Sequence, residues 1–283
     1  MSTDWMRVSG EFPGPAPSAE LRADIPHPAR VYDYLLGGKD NFPVDRAAAE
    51  RLLAAEPEVR SVAVANRAFM QRAVRYAAEE LGVRQFLDIG TGIPTAGHTH
   101  EIAQAVEPAA RVLYVDNDPI VPVHARALPA AAERGRLGVL QADLRDPEKI
   151  LAAEELARVI DLGRPVALVL CAVLHFVEDE AQPRRIVERL LRPLARGSVI
   201  VLSHGVRDGP DGEPRSAAAA VADEIYRPST GGVHPRTPTE VLALLAGCVP
   251  VAPGLVPVGK WRPDLAPTPT SPLPLHGVLA VKR

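Results

Sequence analysis

The chain has 283 residues, 47% of them hydrophobic, with a formal net charge of -3 and a sequence pI near 6.3. This length suits one α/β domain with additions, and the weak negative charge lacks the basic field usual in nucleic-acid-binding proteins, which disfavours nucleic acid as a partner. The longest apolar run, residues 166–174, is too short to span a bilayer and the N-terminus lacks a secretory signal, so we expect a cytoplasmic protein without a membrane partner.

The first part of the chain divides by composition. Residues 1–25 contain three closely spaced prolines and little apolar periodicity, which predicts a flexible N-terminal arm. Helical patterns follow, and the first strand-like run comes after them. We therefore expect an N-terminal helical cap over residues 26–82 and an α/β core over residues 83–283.

The cap begins with a short predicted helix. Val31, Tyr34 and Leu35 share one helical face, and the pair Gly37-Gly38 predicts a helix end with a residue in the left-handed region. The segment 25–46 combines this helix with two tyrosines and several polar residues.

A polar cluster, Lys39-Asp40-Asn41, follows that helix end. One interpretation is a solvated turn after a capped helix. The other is part of a ligand site, because special residues are dense here. From the residues alone the two stay open.

Two alanine-rich helical patterns, 44–56 and 58–81, complete the cap and are separated by Pro57. Asn66 and Arg67 lie on the second of them and could reach a ligand. A surface helix that carries polar residues for solubility is the interpretation we favour.

The central feature of the sequence is a strand followed by a glycine turn. Residues 85–89 form a short apolar run that contains Asp88, and Gly90 and Gly92 follow directly. Glycine allows a backbone to approach a ligand closely because it has no Cβ. With a helix predicted over 97–106, this pattern indicates an α/β nucleotide site, although any strand-to-helix turn can require glycine.

The next two predicted strands also end in acids. Residues 111–115 lead to Asp116, and residues 137–141 lead to Asp143. Together with Asp88, three successive strands bring an acid to the carboxyl edge of the predicted sheet, where open α/β sheets bind ligands.

The rest of the chain continues the alternation of strands and helices. Asp118-Pro119 and Asp146-Pro147 predict helix starts. The further predicted elements are a buried strand over 165–173, a helix over 183–194, a strand over 198–202 and a helix that begins with a capping box at 237–240. Two more strands are predicted over 249–258 and 276–282. The stretch between them is rich in proline, and no helix fits there.

With this glycine turn and these strand-end acids, the sequence resembles the class I S-adenosylmethionine-dependent methyltransferases. Their first motif is similar to DIGTGIP. The segment PARVYDYLLGGKDNFPVDR is very similar to the opening signature of a family of largely uncharacterised actinobacterial proteins identified as such methyltransferases. The likeness continues through FLDIGTGIPT, YVDNDPIV, QADLRDP, VLHFV and LSH, and so covers residues 25–283. It implies a Rossmann-like fold with a mostly parallel seven-stranded sheet and an antiparallel last strand, and S-adenosylmethionine as the cofactor.

The same resemblance implies roles for particular residues. Asp88 or the glycine-loop amides would hold the amino-acid end of the cofactor, Asp116 the ribose hydroxyls and Asp143 the adenine amino group. A dinucleotide fold would instead expect a glycine at Thr95 and would lack the inserted last strand. The full set of expected cofactor residues is Asp88, Gly90, Thr91, Gly92, Asp116, Asn117, Asp143, Leu144 and Cys171 in the core, and Tyr34, Gly38, Lys39, Asp40 and Asn41 in the cap.

A candidate base follows the fourth strand. His175, in VLHFVEDE, is similar in position to the general base of small-molecule O-methyltransferases, although Val177 replaces their aromatic residue. Imidazole titrates near neutrality, which suits a base; the alternative is a histidine that packs under the cofactor. His204, after the fifth strand, is a second candidate, and we expect His98 and His100 to be surface or second-shell residues.

Metal binding is not expected. Cys171 and Cys248 lie in apolar segments without metal-ligand spacing. The acids at 178–180 favour the positive end of the helix that follows them. Residues 208–214 predict a flexible turn, because they lack the spacing of a calcium loop.

Two functions remain after this reading. The first is a methyltransferase for a small-molecule acceptor, with O-methylation favoured and the acceptor enclosed by segment 26–46 and the loops after the fourth and fifth strands. The second is an S-adenosylmethionine-binding sensing or interaction protein without transferase activity. Methylation of RNA or protein is disfavoured, because basic clusters with interleaved aromatic residues are absent and Cys-Ala-Val-Leu-His replaces the Asn-Pro-Pro-aromatic motif at 171–175. Neither reading specifies an oligomeric state.

Overall fold

A computed structural model describes residues 22–93, 97–121, 136–179, 182–207, 217–263 and 275–283. Most of the predicted arm, the position of Thr95, the turn at 208–214 and the proline-rich stretch 264–274 therefore lie outside the described residues. The described strands form one sheet, and they are β1 (Gln85–Ile89), β2 (Arg111–Asp116), β3 (Leu137–Gln141), β4 (Ala167–Cys171), β5 (Val199–Gly205), β6 (Val249–Pro250), β7 (Val256–Pro257) and β8 (Leu275–Val281).

The strand order is β3-β2-β1-β4-β5-β8-β6, with β7 paired to β8. Strands β1 to β5 are parallel, whereas β8 runs antiparallel to β5. Strands β2 and β3 lie on one side of β1, and β4 and β5 lie on the other, so the direction in which strands are added reverses between β1 and β4. Open α/β sheets bind ligands at such a switch point. The predicted Rossmann-like, mostly parallel sheet with an antiparallel last strand is confirmed.

One edge of the sheet differs from the prediction. The single strand expected over 249–258 is divided into β6 and β7, which pair with the two ends of β8. Pro250 and Pro253 lack the backbone N–H that a ladder needs, and Gly254 turns the chain with a φ of 84°. The described sheet therefore has eight strands rather than seven.

Helices cover both faces of the sheet, and none within the described part of the chain is long and apolar enough to cross a membrane. They are α1 (Pro28–Leu35), α2 (Pro43–Ala55), α3 (Val59–Glu79), α4 (Thr99–Val106), α5 (Pro147–Leu151), α6 (Glu154–Val159), α7 (Pro183–Leu191), α8 (Ala217–Thr230) and α9 (Pro238–Ala243), with short 3-10 helices at Leu174–Phe176 and Val258–Lys260.

Several predicted helix ends are confirmed. Gly37 comes directly after Leu36, the C-cap of α1, and has a φ of 84°. The Asp146 side chain accepts a hydrogen bond from the Lys149 N–H at the start of α5, and Thr237 and Glu240 form the predicted capping box of α9. These groups satisfy backbone donors that a helix terminus would otherwise leave unpaired.

The helix predicted after Asp118 lies mostly outside the described residues. The Asp118 carboxylate accepts the Ile120 N–H at 3.0 Å, as expected of a residue that begins a helix. Residues 122–135 are not described.

Helix α3 packs directly on the sheet. The Phe69 ring is fully buried and meets the Trp261 ring edge to face, with centroids 5.5 Å apart. The Arg72 guanidinium donates to the backbone oxygens of Trp261 and Val258 at 2.9 and 2.7 Å. Since α3 shares a hydrophobic cluster with β1, β2, β4 and β5, the longest cap helix is also part of the core.

The other cap helices join a helix from much later in the chain. Val31 of α1 and Leu52 of α2 pack in one cluster with Ile225 and Tyr226 of α8. The cap is therefore built from both the N-terminal helices and α8, which sequence order alone does not indicate.

A buried ion network ties this cap to the sheet. The Arg30 side chain of α1 is 2% exposed; its Nε lies 3.0 Å from Asp45 of α2, and its Nη1 lies 3.4 Å from Asp118 in the loop after β2. The His27 ring, before α1, lies 3.1 Å from the same Asp118 oxygen. Because Asp118 also donates its N–H to Asp116 at 3.0 Å, the network reaches the end of β2.

Packing at Gly277 provides a test of the α3–sheet contact. A Cβ built on Gly277 would lie 2.6 Å from the Phe69 ring. We expect Gly277→Ala to lower the free energy of unfolding by about 1–3 kcal/mol, the usual cost of overpacking. Chemical denaturation measures this change.

The matched control is the double variant. Phe69→Leu opens space at the contact, so Gly277→Ala should cost at least about 0.5 kcal/mol less in the Phe69→Leu background. Strict additivity of the two changes would contradict the proposed contact.

Candidate functional site

A cavity of about 810 Å³ lies between the carboxyl ends of the central strands and the cap helices. Its polar floor consists of Arg67 and of residues at the carboxyl ends of β1 and β2 and directly after them, namely Asp88, Gly90, Thr91, Gly92, Asp116 and Asn117. Its apolar roof consists of residues from α1, α2, α3, α8 and the chain after α8, namely Leu35, Leu52, Val59, Val62, Ala63, Ala222, Tyr226 and Val233.

The glycine loop after β1 forms part of the floor. Gly90 and Gly92 have φ values of 73° and 68°, which glycine adopts without strain. A Cβ on Gly90 would lie 2.5 Å from the Val173 side chain, so the loop after β4 requires glycine there. A Cβ on Gly92 would meet nothing within 4 Å, so this backbone faces open space in the cavity.

Asp116 lies at the end of β2 and organises the same loop. Its carboxylate accepts the Gly92 N–H at 2.8 Å and the Asp118 N–H at 3.0 Å. Burial raises the pKa of Asp116, and the two N–H groups partly offset this effect. An ionised carboxylate has about four acceptor positions, so further hydrogen bonds to a ligand remain possible.

Asp88 lies deeper in the floor, where it is 6% exposed. It accepts the Thr99 hydroxyl at 2.6 Å. Burial raises the pKa of Asp88 to about 6, although the Thr99 hydrogen bond and the positive charge of Arg67 act in the opposite direction. A positively charged ligand group beside Asp88 would restore the charged form.

Asp143 and Leu144 line a smaller neighbouring cavity of about 60 Å³, which shares Asp116 and Asn117 with the large one. The Asp143 carboxylate accepts hydrogen bonds from Arg145, the shorter at 2.6 Å. Burial alone would raise the pKa of Asp143, but the hydrogen bonds and charge of Arg145 outweigh it and hold the pKa below its ordinary value. The partner Arg145 was not foreseen.

The end of β4 is strained. Ala172 has a φ of 54°, a left-handed value that costs a non-glycine residue about 1–3 kcal/mol. Its N–H donates to the Ser203 hydroxyl at 2.9 Å. Next to it, Cys171 lines the cavity, and burial raises the pKa of its thiol well above the ordinary value.

A chain of hydrogen bonds holds this strained turn to the cap. The Ser203 hydroxyl donates to Asn66 Oδ1 at 2.6 Å, Asn66 Nδ2 donates to the Tyr32 hydroxyl at 3.1 Å, and that hydroxyl donates to the Ala63 oxygen at 2.8 Å. Asn66 is 3% exposed, so its interpretation as a solubilising surface residue is wrong. Arg67 also lines the cavity.

His175 lies in the cavity wall between floor and roof and is 9% exposed. Burial lowers the pKa of His175 well below its ordinary value, and the neighbouring His204 and Arg236 lower it further. Its Nδ1 accepts the Gly205 N–H at 3.3 Å, a long hydrogen bond that leaves the proton of the neutral ring on Nε2. The ring is therefore neutral. The expectation that His175 titrates near neutrality does not apply, because its pKa is lowered.

His204 does not line the cavity and is fully buried. Its Nδ1 lies 2.7 Å from the Gly205 oxygen and its Nε2 lies 3.0 Å from Arg236. Burial lowers the pKa of His204 to about 3. Both ring nitrogens are therefore engaged within the protein, and the structure does not place His204, the second predicted base, at the cavity.

Arg236 is a buried residue beside the cavity whose position the sequence did not reveal. Its guanidinium is 4% exposed and donates to the backbone oxygens of Leu174 and Val177 at 3.1 and 2.8 Å, and to Asp179 at 2.7 Å. It thereby fastens the loop that carries His175. No local pattern around Arg236 indicates this role.

The predicted cap residues lie away from the cavity. Asp33 accepts the Asp40 N–H and the Asn41 side chain at 3.0 and 2.8 Å, and a Cβ on Gly38 would collide with the same carboxylate. The cluster therefore builds a turn around Asp33. Lys39 is exposed.

Tyr34, also expected at the cofactor, donates to Glu50 at 2.5 Å instead. None of the five predicted cap residues lines either cavity, so the structure does not bring them together with the residues of the floor. The part of this segment that does line the large cavity is His27, Pro28, Ala29, Tyr32 and Leu35.

Comparison with known proteins identifies the chain. A family model described as S-adenosyl methyltransferase matches residues 15–283. The chain belongs to this family.

Two solved structures are similar over nearly the whole chain. A DUF574 family protein from Streptomyces avermitilis is 42% identical, with a TM-score of 0.86, and the match covers 93% of this chain and 100% of that one. A protein from Thermobifida fusca, provisionally assigned as a methyltransferase, is 39% identical, with a TM-score of 0.83 and coverage of 97% and 100%. No functionally curated protein matches. The chain is an S-adenosylmethionine-dependent methyltransferase.

In this methyltransferase His98 and His100 are both buried, so a surface position is wrong for each. The His100 Nδ1 lies 2.7 Å from the Tyr114 hydroxyl. Burial lowers the pKa of His98 to about 3. Both residues support the start of α4 rather than lining the cavity.

The acidic run at 178–180 also differs from the prediction. Helix α7 begins only at Pro183, with Gln182 as its N-cap, and no acid lies in its first turn. Asp179 instead pairs with Arg236 at 2.7 Å, and Glu180 lies outside the described residues. Among the described residues, no three side chains of the ligating types are grouped for a metal ion.

The raised pKa of Asp88 implies that the free energy of unfolding depends on pH. Its ordinary pKa is 3.8 and its folded value is about 6, so the folded state binds this proton more tightly. The resulting stabilisation is complete below pH 3.8 and is lost as pH rises through 6. We expect about 2–3 kcal/mol of such loss between pH 4 and pH 7 in the wild type.

Asp88→Asn should remove this part of the pH dependence. The measurement is the free energy of unfolding at several pH values, compared with the wild type and with Asp40→Asn, which alters an exposed carboxylate. An unchanged pH profile in Asp88→Asn would contradict the burial argument.

Proposed function

We propose that this methyltransferase transfers the methyl group of S-adenosylmethionine to a hydroxyl oxygen of a small-molecule acceptor. One observation carries the proposal: a single cavity extends from the acids and glycines of the floor, past His175, to the apolar roof. Ligand pockets usually measure about 300–1000 Å³, so this one has room for a cofactor and an acceptor side by side. The helices above the strand edge favour an acceptor small enough to enter.

The floor suits the amino-acid end of the cofactor. That end carries an ammonium and a carboxylate, and the floor offers each a group of opposite charge, Asp88 and Arg67. Their proximity is supported by the effect of the Arg67 charge on the pKa of Asp88. We assign the ammonium to Asp88 and the carboxylate to Arg67 and the amides of Thr91 and Gly92.

The nucleoside end is assigned to the other side of the floor. Asp116 would accept from the ribose hydroxyls, because its carboxylate lies at the cavity wall and keeps acceptor positions beyond its two backbone bonds. Asn117 lies beside it. The small cavity with Asp143 and Leu144 would take the adenine edge, since it opens from the same two walls.

When bound, S-adenosylmethionine supplies an electrophilic methyl group, whose bond to sulfur breaks as the acceptor oxygen bonds to carbon. The protein has to align the acceptor hydroxyl and remove its proton. His175 is the proposed base because it is neutral and lies in the wall between floor and roof. The proton would enter at Nδ1 and displace the long bond from Gly205.

Cofactor binding can be tested at Asp116. We expect Asp116→Ala to weaken binding of S-adenosylhomocysteine by about 10- to 100-fold, because a hydrogen bond to a charged group contributes about 1.5–3 kcal/mol. Asp143→Asn should lose less, since an amide oxygen can still accept. Calorimetry measures both affinities.

Lys39→Ala is the matched control, because Lys39 is exposed and outside the cavity. It should bind within about twofold of the wild type. If Asp116→Ala bound as tightly as Lys39→Ala, the ribose assignment would be wrong.

The base assignment can be tested with two substitutions at His175. After a hydroxyl-bearing acceptor is found by screening for S-adenosylhomocysteine release, His175→Ala should lower turnover by about 100-fold or more, with little change in cofactor affinity. His175→Asn keeps a hydrogen-bond donor but cannot take the proton, so it should be equally impaired.

The wild-type turnover should show no inflection from His175 near pH 6.5, because the pKa of this ring lies well below that value. Recovery of turnover in His175→Asn would show that the residue orients the acceptor by donation and that the base is another group. Binding of S-adenosylhomocysteine without turnover of any hydroxyl acceptor would count against O-methylation itself.

A further inference from the structure

We infer that the apolar roof is a subsite for a neutral aromatic acceptor, and that the Tyr226 hydroxyl orients this acceptor by hydrogen bonding to a second oxygen at its far end. The inference rests on the proposed function, because it specifies what occupies the other half of the same cavity.

The chemistry of the roof disfavours a charged occupant, and the charged lining residues beyond the floor, Asp179 and Arg207, pair with Arg236 and Glu240 within the protein. Leu35, Leu52, Val62, Ala63, Ala222 and Val233 offer only methyl and methylene groups to the cavity. Transfer of an isolated charge from water to such surroundings is costly, because no partner replaces its hydration. An acceptor that fills this space is therefore neutral and largely apolar.

An aromatic wall connects the roof to the candidate base. The rings of His175 and Phe176 have centroids 4.5 Å apart, and those of Phe176 and Tyr226 have centroids 5.2 Å apart at an interplanar angle of 78°. All three residues line the cavity. A further ring gains from edge-to-face and offset contacts with such a wall, which favours an aromatic occupant over an aliphatic one.

Tyr226 is the polar exception in this wall. It lines the cavity and is 7% exposed, and its hydroxyl makes no hydrogen bond to any of the described residues. The contrast is Tyr32, whose hydroxyl donates to Ala63 and accepts from Asn66. Burial raises the pKa of Tyr226 above its ordinary value, so the hydroxyl keeps its proton and can either donate or accept.

The position of Tyr226 defines the shape of the acceptor. Phe176 packs against both rings, so His175 and Tyr226 belong to one aromatic wall. In the proposed arrangement, an acceptor whose hydroxyl reaches His175 lies along Phe176 and extends toward Tyr226. An uncommitted polar group in an apolar wall requires such a partner, which a second oxygen on the acceptor provides.

The experiment measures binding of aromatic probes to the full chain saturated with S-adenosylhomocysteine. The probes are 2,6-dihydroxynaphthalene, 2-naphthol with one hydroxyl, and 2-naphthalenesulfonate with a charge. The variants are Tyr226→Phe, Ala222→Trp, which fills the roof, and Ala220→Trp, which places the same side chain at an exposed position of the same helix.

We expect 2,6-dihydroxynaphthalene to bind the wild type at least about 10-fold more tightly than the sulfonate does. Ala222→Trp should weaken that binding by about 10-fold or more, whereas Ala220→Trp should leave it within about twofold. Tyr226→Phe should cost the dihydroxy probe about three- to tenfold, the usual effect of one neutral hydrogen bond, and cost 2-naphthol less.

The affinity for S-adenosylhomocysteine distinguishes failure of the proposed function from failure of the roof subsite. It should stay within about twofold of the wild type in all three variants. Failure of the wild type to bind it would overturn the proposed function. If the wild type binds S-adenosylhomocysteine but Ala222→Trp and Ala220→Trp bind 2,6-dihydroxynaphthalene equally well, only the roof subsite is overturned. An equal loss of both hydroxyl probes in Tyr226→Phe would overturn the orienting role of that residue.

Discussion

The buried guanidinium of Arg30 is the interaction on which the site depends. It pairs with Asp45 of α2 and with Asp118 in the loop after β2, and Asp118 in turn bonds to Asp116. Buried charges are costly unless every partner is in place, so the cap helices, the loop and the floor carboxylate constrain one another. The position of the roof above the floor is thereby set by electrostatics, whereas α1, α2 and α8 pack on one another through an apolar cluster, with the exposed ion pair Arg51–Glu224 at its edge.

A second polar network acts at the opposite wall. The chain from Ser203 through Asn66 to Tyr32 holds the strained Ala172 in place, and Arg236 holds the loop that follows it. Strain of this kind persists only where the surroundings over-determine it. Floor and wall are therefore both preorganised, while the roof consists of side chains that pack without directional bonds.

The sheet and the glycine loop could be predicted because their signals are local: apolar runs of strand length, acids at strand ends and glycines in turns. Asn66 and Arg236 could not be predicted, since a polar residue becomes buried only when distant elements supply its partners. The Lys39-Asp40-Asn41 cluster suggested a ligand site because glycine and polar residues are concentrated there. Such a concentration indicates a constrained backbone, and here the turn is held by the Asp33 carboxylate. Adjacency to a strand end was likewise insufficient for His204, whose ring points into the protein.

The insertion of β8 between β5 and β6 affects how the sheet is assembled during synthesis. Strand β5 ends at Gly205, yet its antiparallel neighbour begins only at Leu275. Until that later segment leaves the ribosome, β5 presents an unpaired and strongly apolar edge, which is a template for pairing with another chain. The risk of aggregation in the nascent protein is therefore concentrated in the interval between these two strands.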